Sequence, residues 1–232
     1  PYVQEILADA GLPLRRFEVF VAGGAEAARP PAPARQGAAA EGYLHLLHVG
    51  RAVRTKGLRD VIRALALLRD RPGLRLTSAG DGEDLAACRA EAARLGVADR
   101  VTFLGRLSRE AVDDLYRQAD VLCFPSFREP MGGVLFEAMG HGLPIVAARW
   151  GGPGYIVDDS CGIRVPVDAP EAFARGIADA VARLQDDPAL RERLGQGARA
   201  RLASFGTWDD KADRLVALYH EAIGAHCARA DG

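Results

Sequence analysis

Six short apolar runs, separated by stretches with helical periodicity, constrain the fold of this 232-residue chain more than any other feature. The runs are nearly continuous in apolar residues, as parallel strands covered on both faces should be. We predict strands at Leu44–Val49, Leu74–Ala79, Val101–Leu104, Val121–Phe124, Ile145–Ala148 and Ile163–Val167. Strand–helix alternation at this spacing predicts a three-layer α/β domain, with a parallel sheet of about six strands and helices on both faces.

Helical patterns fill the intervals and continue after the last strand. They predict helices at Leu58–Arg69, Glu83–Leu95, Arg109–Gln118, Gly133–Met139, Gly154–Asp158, Pro170–Gln185, Pro188–Ala203 and Trp208–Ile223. Residues 1–24 read as the trailing end of an upstream unit, and residues 25–42 have the Ala/Pro-rich composition of a linker. We therefore assign residues 43–232 to the main domain.

Composition excludes several classes of protein. A net charge of -1 provides no global field for nucleic acid, and no apolar run approaches the roughly 20 residues of a membrane span. The four cysteines are scattered without metal-site spacing, which favours reduced cytoplasmic thiols, some of them core residues. We expect no nucleic-acid partner and no metal.

The loops after the strands are where chemistry is expected, because ligands of such sheets bind outside the carboxyl ends of the strands. The first loop, Gly50–Gly57, carries three cations of the kind that grip phosphate: Arg51, Arg54 and Lys56. It is not a P-loop, because Thr55 replaces the second glycine, and the turn Gly80–Gly82 lacks the third glycine of a dinucleotide site. Taken singly, the loop is better explained as a solvated basic turn.

The segment Pro125–Pro144 contains two glutamates eight residues apart, Glu129 and Glu137. Gly132 and Gly133 stand where a helix begins, so free N–H groups and the positive end of its dipole face the strand ends. Carboxylates accept hydrogen bonds from sugar hydroxyls, whereas N–H groups suit phosphate oxygens. The alternative is a capping glutamate and a surface glutamate. With the basic loop, the segment predicts a pocket for a ligand that carries hydroxyls and phosphates.

Together these residues form a pattern that resembles the signature of family 4 retaining glycosyltransferases, which have the GT-B fold. The matching motifs occur in the family's order, at His48–Arg51, Lys56–Gly57, Gly80–Gly82, Val101–Gly105, Ala119–Ser126, Arg128–Ala147, Gly151–Gly152 and Phe205–Tyr219. The resemblance extends from Leu44 to about Ile223, which is essentially the whole domain.

The resemblance implies a Rossmann-like donor-binding domain, the C-terminal half of a GT-B enzyme. It implies that Arg51 and Lys56 bind the diphosphate of a nucleotide sugar and that Glu129 contacts the transferred sugar. By the same resemblance Glu137 holds the ribose hydroxyls. Further donor contacts are implied at Gly50, Gly80, Asp81, Arg106, Leu107, Met131, Gly132, Gly133 and Val134. Met131 stands where the family usually has a large aromatic residue, which affects the choice of sugar.

The resemblance also implies retaining transfer of a hexose-type sugar in polysaccharide or glycolipid synthesis, without a metal or other cofactor. In the family an N-terminal half carries the acceptor site, and residues 1–24 resemble only its end. That half is an expected partner, and through it we expect peripheral association with the inner face of the membrane. The alternative is a nucleotide-sugar binding module without turnover, and a related epimerase explains the glutamates less well. The resemblance does not specify the nucleotide base, the donor sugar or the acceptor.

Overall fold

The computed structural model describes residues 43–230, with side-chain surroundings given as far as residue 223. The expectations for residues 1–24 and 25–42 lie outside the described residues. The described part falls into two compact units, which divide between Arg201 and Leu202. The sheet and all the candidate site residues belong to the first unit.

A six-stranded sheet forms the centre of the first unit, in the order β3-β2-β1-β4-β5-β6. All the strand pairings are parallel. The strands are β1 Leu44–Val49, β2 Leu74–Ala79, β3 Val101–Gly105, β4 Val121–Phe124, β5 Ile145–Ala148 and β6 Gly162–Val165. The predicted Rossmann-like α/β fold is confirmed. Only β6 departs noticeably from its predicted bounds, because it starts at Gly162, which pairs with Ile145, and it ends before Val167.

The helices are α1 Leu58–Leu67, α2 Leu85–Arg94, α3 Arg109–Gln118, α4 Gly133–Gly140, α5 Gly151–Ile156, α6 Pro170–Asp186, α7 Pro188–Ser204 and α8 Trp208–Ala230. Most match their predicted bounds within two residues, but α8 extends to Ala230, beyond its predicted end at Ile223. Helix α5 begins three residues earlier than predicted, because Gly151, Gly152 and Pro153 form its first turn, where proline is tolerated.

Successive strand residues are buried against opposite layers. Val121 and Cys123 of β4 join a cluster with residues of α1, α2 and α6, whereas Leu122 and Phe124 are buried outside that cluster. Both β4 and β5 are buried at every position, as the continuous apolar runs predicted. The sheet is therefore covered on both faces, which leaves the carboxyl ends of its strands as the accessible edge.

The strand order reverses between β1 and β4. These strands are neighbours, yet the chain continues from β1 to β2 on one side and from β4 to β5 on the other. Loops that leave in opposite directions open a crevice at this point, and ligands of open parallel sheets bind there. The basic loop follows β1 and the glutamate segment follows β4.

The second unit contains α8, whose start is fixed by reciprocal bonds. The Thr207 amide donates to Asp210 Oδ2 over 2.6 Å, and the Asp210 amide donates to Thr207 Oγ1 over 3.1 Å. Along this helix Leu215 and Tyr219 are exposed. Between residues 43 and 230 no helix is both long and apolar enough to cross a membrane.

Candidate functional site

The loops after β1 and β4 are joined through their backbones. The Thr55 carbonyl accepts hydrogen bonds from Ser126 Oγ over 3.2 Å and from the Phe127 amide over 3.1 Å. Gly57 has a φ of 77° and lies so close to Pro125 that a Cβ would meet its carbonyl oxygen at 2.4 Å. Only glycine suits this position. The basic loop and the glutamate segment therefore form one structural piece.

Lys56 and Glu129 form an ion pair at this junction. Lys56 Nζ donates to Glu129 Oε2, and the two side chains are only 17% and 11% exposed. The other carboxylate oxygen accepts from the Met131 amide over 3.4 Å. Two charges so sheltered from water stabilise each other, because either one alone would be costly to bury. Two residues predicted to be catalytic are thus in direct contact.

The remaining cations of the basic loop have different surroundings. Arg54 makes a bidentate pair with the buried carboxylate of Asp60 (2.6 and 3.2 Å) and lies over the ring of Phe127. Arg51 is exposed and makes no ion pair with any residue from 43 to 223. Of the two arginines, Arg51 is therefore the one available to a ligand.

His48 lies beneath the basic loop. It is completely buried, and its Nε2 lies 3.2 Å from the carbonyl oxygen of Lys56. A carbonyl only accepts, so Nε2 carries the proton. Burial lowers the pKa of His48 to about 4, which keeps the ring neutral at physiological pH. The sequence matched His48 to a motif without giving it a role, and the structure shows that it holds the backbone of Lys56.

The loop after β5 supports the glutamate segment from the other side. The Gly152 amide donates to the Glu129 carbonyl over 2.9 Å. A Cβ on Gly152 would lie 2.4 Å from the Pro130 carbonyl oxygen. Gly151 and Gly152 thus allow close backbone packing, which fixes the position of the loop that carries Glu129.

Helix α4 starts directly after this loop. Gly132 precedes it with a φ of 88°, and no side chain caps the first turn. A Cβ on Gly133 would meet nothing within 4 Å, so the backbone there borders open space. Uncapped N–H groups at an open helix start favour an anion. The predicted donor contacts Met131, Gly132, Gly133 and Val134 form this helix start and the turn that leads into it from Glu129.

Glu137 lies one turn inside α4 and is exposed. Its Oε2 accepts a hydrogen bond of 2.8 Å from the hydroxyl of Tyr116, a side chain of α3 that is only 2% exposed. Burial, followed by the negative charge of Glu137, raises the pKa of Tyr116 far above its usual range, so the phenol stays protonated and donates. Sequence reasoning missed Tyr116. The one available signal was that a buried tyrosine hydroxyl needs a partner.

The turn after β2 packs on the first loop. The Asp81 carbonyl accepts from the Ala52 amide over 2.9 Å, and its carboxylate accepts from the Gly82 amide over 2.7 Å. A Cβ on Gly80 would lie 1.8 Å from the Gly50 carbonyl oxygen. Gly50, Gly80 and Asp81 thus shape the backbone that presents Arg51.

Arg106 and Leu107 follow β3, at one edge of the sheet. Arg106 is exposed and Leu107 is partly buried. Within residues 43–223, no described hydrogen bond or ion pair joins them to Lys56 or Glu129. The structure places them on the same rim as the other predicted residues, beyond the loop after β2.

Metal-binding and thiol chemistry find little support in the described residues. Within the described range no group of three or more His, Cys, Asp or Glu side chains is placed to hold a metal ion. Cys88, Cys123 and Cys161 are buried free thiols. Burial raises the pKa of Cys88 and Cys123 to about 12 and that of Cys161 to about 11, which makes them unreactive core residues.

Comparison with known proteins adds relatives with stated activities. Residues 33–201 match the family described as Glycosyl transferases group 1. The D-inositol 3-phosphate glycosyltransferase of Streptomyces griseus is 37% identical over 238 residues, which cover 95% of this chain and 49% of the relative. The glycogen synthase of Mycobacterium tuberculosis is 36% identical over 198 residues, 84% of this chain and 46% of the relative. The chain thus spans about half the length of these relatives.

A solved structure shows a similar fold with a ligand in place. The structure of HepE of Anabaena in complex with UDP-glucose has a TM-score of 0.61 and 26% identity to this chain. The likeness covers 75% of this chain and 49% of that one.

Proposed function

The chain belongs to the group 1 glycosyl transferase family, and from this we propose that it is the donor-binding half of a retaining, family 4 type glycosyltransferase with the GT-B fold. The proposed donor is a nucleoside diphosphate sugar. HepE, which has been solved with UDP-glucose, supports this donor class.

The observation that carries the proposal is the Lys56–Glu129 pair at the crevice between β1 and β4. A cation for phosphate oxygens and a carboxylate for sugar hydroxyls are in contact there. They therefore lie where the diphosphate and the transferred sugar of one donor would meet.

The reaction needs charge stabilisation on the departing diphosphate. We propose that Arg51 and Lys56 stabilise the negative charge that develops as the bond from sugar to phosphate breaks. The open start of α4 adds N–H donors, so the mechanism we propose uses no metal. Glu129 orients the sugar through its hydroxyls and does not act as a nucleophile, while Glu137 accepts the ribose hydroxyls.

This chain covers 49% and 46% of the two relatives described above. We propose that the acceptor binds to a part of the enzyme that corresponds to their remaining length. We propose that the acceptor is a glycan, a lipid or a small molecule. The enzyme is proposed to be cytoplasmic and to reach the inner face of the membrane through that other half.

A second candidate is a nucleotide-sugar binding module that does not turn over by itself. Release of nucleoside diphosphate from the donor, followed with and without an acceptor-binding half, distinguishes the two functions. Binding without release favours the module.

The donor proposal is tested by thermal unfolding with a panel of UDP-, GDP- and ADP-linked hexoses, each beside its free nucleoside diphosphate. A ligand at 100 times its Kd stabilises the native state by about 2.7 kcal/mol. We expect stabilisation by one nucleotide class, and more by the nucleotide sugar than by the nucleotide alone. If no nucleotide sugar raises the Tm, the proposal is wrong.

The roles of the two glutamates are tested with Glu129→Gln and Glu137→Gln. The first should weaken nucleotide-sugar binding about tenfold, since each lost hydrogen bond to a charged group contributes about 1.5–3 kcal/mol. It should not weaken free nucleotide binding, because Lys56 no longer has to leave a charged partner. The second should weaken both ligands equally. Calorimetric Kd values decide, and equal effects of the two variants on both ligands contradict the assignment.

A further inference from the structure

We propose that Tyr116 is a positioning residue for nucleoside recognition: its buried hydroxyl holds the Glu137 carboxylate in the orientation that receives the two ribose hydroxyls. The inference rests on the proposed function, because it takes a ribonucleotide as the ligand. It assigns to α3, which supplies none of the predicted site residues, a part in donor binding.

The geometry gives the two residues unequal surroundings. Glu137 is exposed on α4, whereas the Tyr116 hydroxyl reaches it from a nearly buried side chain at a distance of 2.8 Å. An exposed glutamate normally samples several rotamers, and a ligand that orders it must overcome that entropy. Tyr116 restricts this motion before the ligand arrives, and preorganisation of this kind raises affinity without adding a ligand contact.

The tyrosine itself is held firmly. Its ring stacks on His141 with centroids 5.4 Å apart and an angle of 22°. His141 Nε2 lies 2.8 Å from Asp113 Oδ1, and Asp113 is paired with Arg117 on the same helix. The His141 amide also donates to the Glu137 carbonyl over 3.3 Å. The donor and the carboxylate are thus anchored to one another through both side chains and backbone.

The hydrogen bond from Tyr116 leaves acceptor positions on the Glu137 carboxylate for two ribose hydroxyls. The phenol occupies one acceptor position on Oε2, and Oε1 makes no hydrogen bond to any residue in the range 43–223. An ionised carboxylate has about four acceptor sites on its two oxygens. A vicinal pair of hydroxyls can therefore donate to the two oxygens while the phenol stays in place.

A purely structural role makes a different prediction. If Tyr116 only filled the core, phenylalanine would replace it with no effect on the ligand. If it acts through Glu137, loss of the hydroxyl should matter only for ligands that have ribose hydroxyls. Tyr116→Phe keeps the ring and its stacking, and Glu137 stays solvated because it is exposed.

The experiment compares Kd values of UDP with those of 2′,3′-dideoxy-UDP by calorimetry, or of the GDP or ADP pair if the panel selects that base. Tyr116→Phe should weaken ribonucleotide binding about tenfold and leave dideoxynucleotide binding unchanged. In a Glu137→Ala background the same substitution should have no further effect. Tyr155→Phe, at a tyrosine that is 41% exposed, is the matched control and should change neither Kd.

The outcomes separate the two proposals. Equal weakening of both nucleotides, no weakening of either, or losses that add to those of Glu137→Ala all overturn the role of Tyr116 while donor binding stands. If the wild-type protein binds none of the nucleotides, the proposed function fails, and the positioning role fails with it. Thermal unfolding of each variant verifies that the fold is intact.

Discussion

Glu129 and Glu137 are eight residues apart, and the molecule holds them in opposite ways. Glu129 is mounted on a loop, is 11% exposed and is paired with the charged Lys56. Glu137 is mounted on a helix, is exposed and is held by the neutral phenol of Tyr116. A ligand must compete with Lys56 for the first carboxylate, but it can add to the second without displacing anything. A ligand at Glu129 must therefore exchange with an existing partner, whereas the carboxylate of Glu137 is already oriented.

Removing the cation that pairs with Glu129 should produce the largest effect. We expect Lys56→Ala to weaken nucleotide-sugar binding by about 3–4 kcal/mol, several hundred-fold, because it removes the phosphate cation and leaves a sheltered carboxylate unpaired. Calorimetry measures the Kd. Lys211→Ala, in the second unit, is the control for loss of a lysine and should leave it unchanged. Binding or transfer at near wild-type level in Lys56→Ala removes the assignment.

The residues that support Lys56 and Glu137 should also differ in how they make folding stability depend on pH. His48 lies under Lys56, and Tyr116 contacts Glu137. The pKa of His48 falls from 6.5 to about 4 in the folded state, so between these values the unfolded chain binds more protons. The folded state should therefore lose about 3 kcal/mol of stability as the pH falls from 6.5 to 4. Urea unfolding across this range measures the slope.

Two substitutions sharpen this pH comparison. His48→Gln should flatten the slope, since it removes the titrating group that lies under Lys56. Tyr116→Phe should leave it unchanged, because the pKa of the phenol is raised away from this range. An unaltered slope in His48→Gln contradicts the prediction.

The smallest effect should come from moving the Glu129 loop without changing its charges. In Gly152→Ala the new Cβ would lie 2.4 Å from the Pro130 carbonyl oxygen, so the loop must shift. We expect about tenfold weaker binding of the nucleotide sugar, about 1.4 kcal/mol, and an unchanged preference for ribose over dideoxyribose, because Glu137 stays in place.

Gly133→Ala is the matched control for the stability of the Gly152→Ala variant; its binding is not compared, because Gly133 is a proposed donor contact. Its Cβ would have no atom within 4 Å, and its backbone has no positive φ, so the Tm should not fall. Equal losses of stability in the two variants would show that the close approach of Gly152 to the Pro130 carbonyl does not determine the effect.

Much of the fold was predictable from the sequence, because its strands are continuous apolar runs and most of its helices are long enough to show their periodicity. The first, second, fourth and fifth strands have their predicted bounds. Helix α5 was predicted too late, because Gly151 and Gly152 are poor helix formers. Their place in the helix is decided by packing against the Glu129–Met131 backbone, which no local pattern contains.

For the candidate site, too, the positions of the loops were predictable but the side-chain contacts were not. The sequence predicted that the loops of Lys56 and Glu129 lie at one sheet edge, but it did not predict that these two side chains form an ion pair. The sequence could not show that Arg54 is engaged by Asp60 while Arg51 is available, since both are arginines of one basic loop. Nor could it show that Tyr116 meets Glu137, because side-chain partners on different helices are set by tertiary packing.

The contact between Lys56 and Glu129 has a consequence for turnover. In the function we propose, inorganic phosphate or pyrophosphate would have to separate Lys56 from Glu129 and would leave the carboxylate without a partner. A nucleotide sugar supplies phosphates for one member and hydroxyls for the other. After the proposed transfer, the remaining nucleoside diphosphate would offer Glu129 no sugar hydroxyls, and re-formation of the ion pair would favour its release. In the proposed function, the same two charges therefore both recognise the donor and help to release the nucleoside diphosphate.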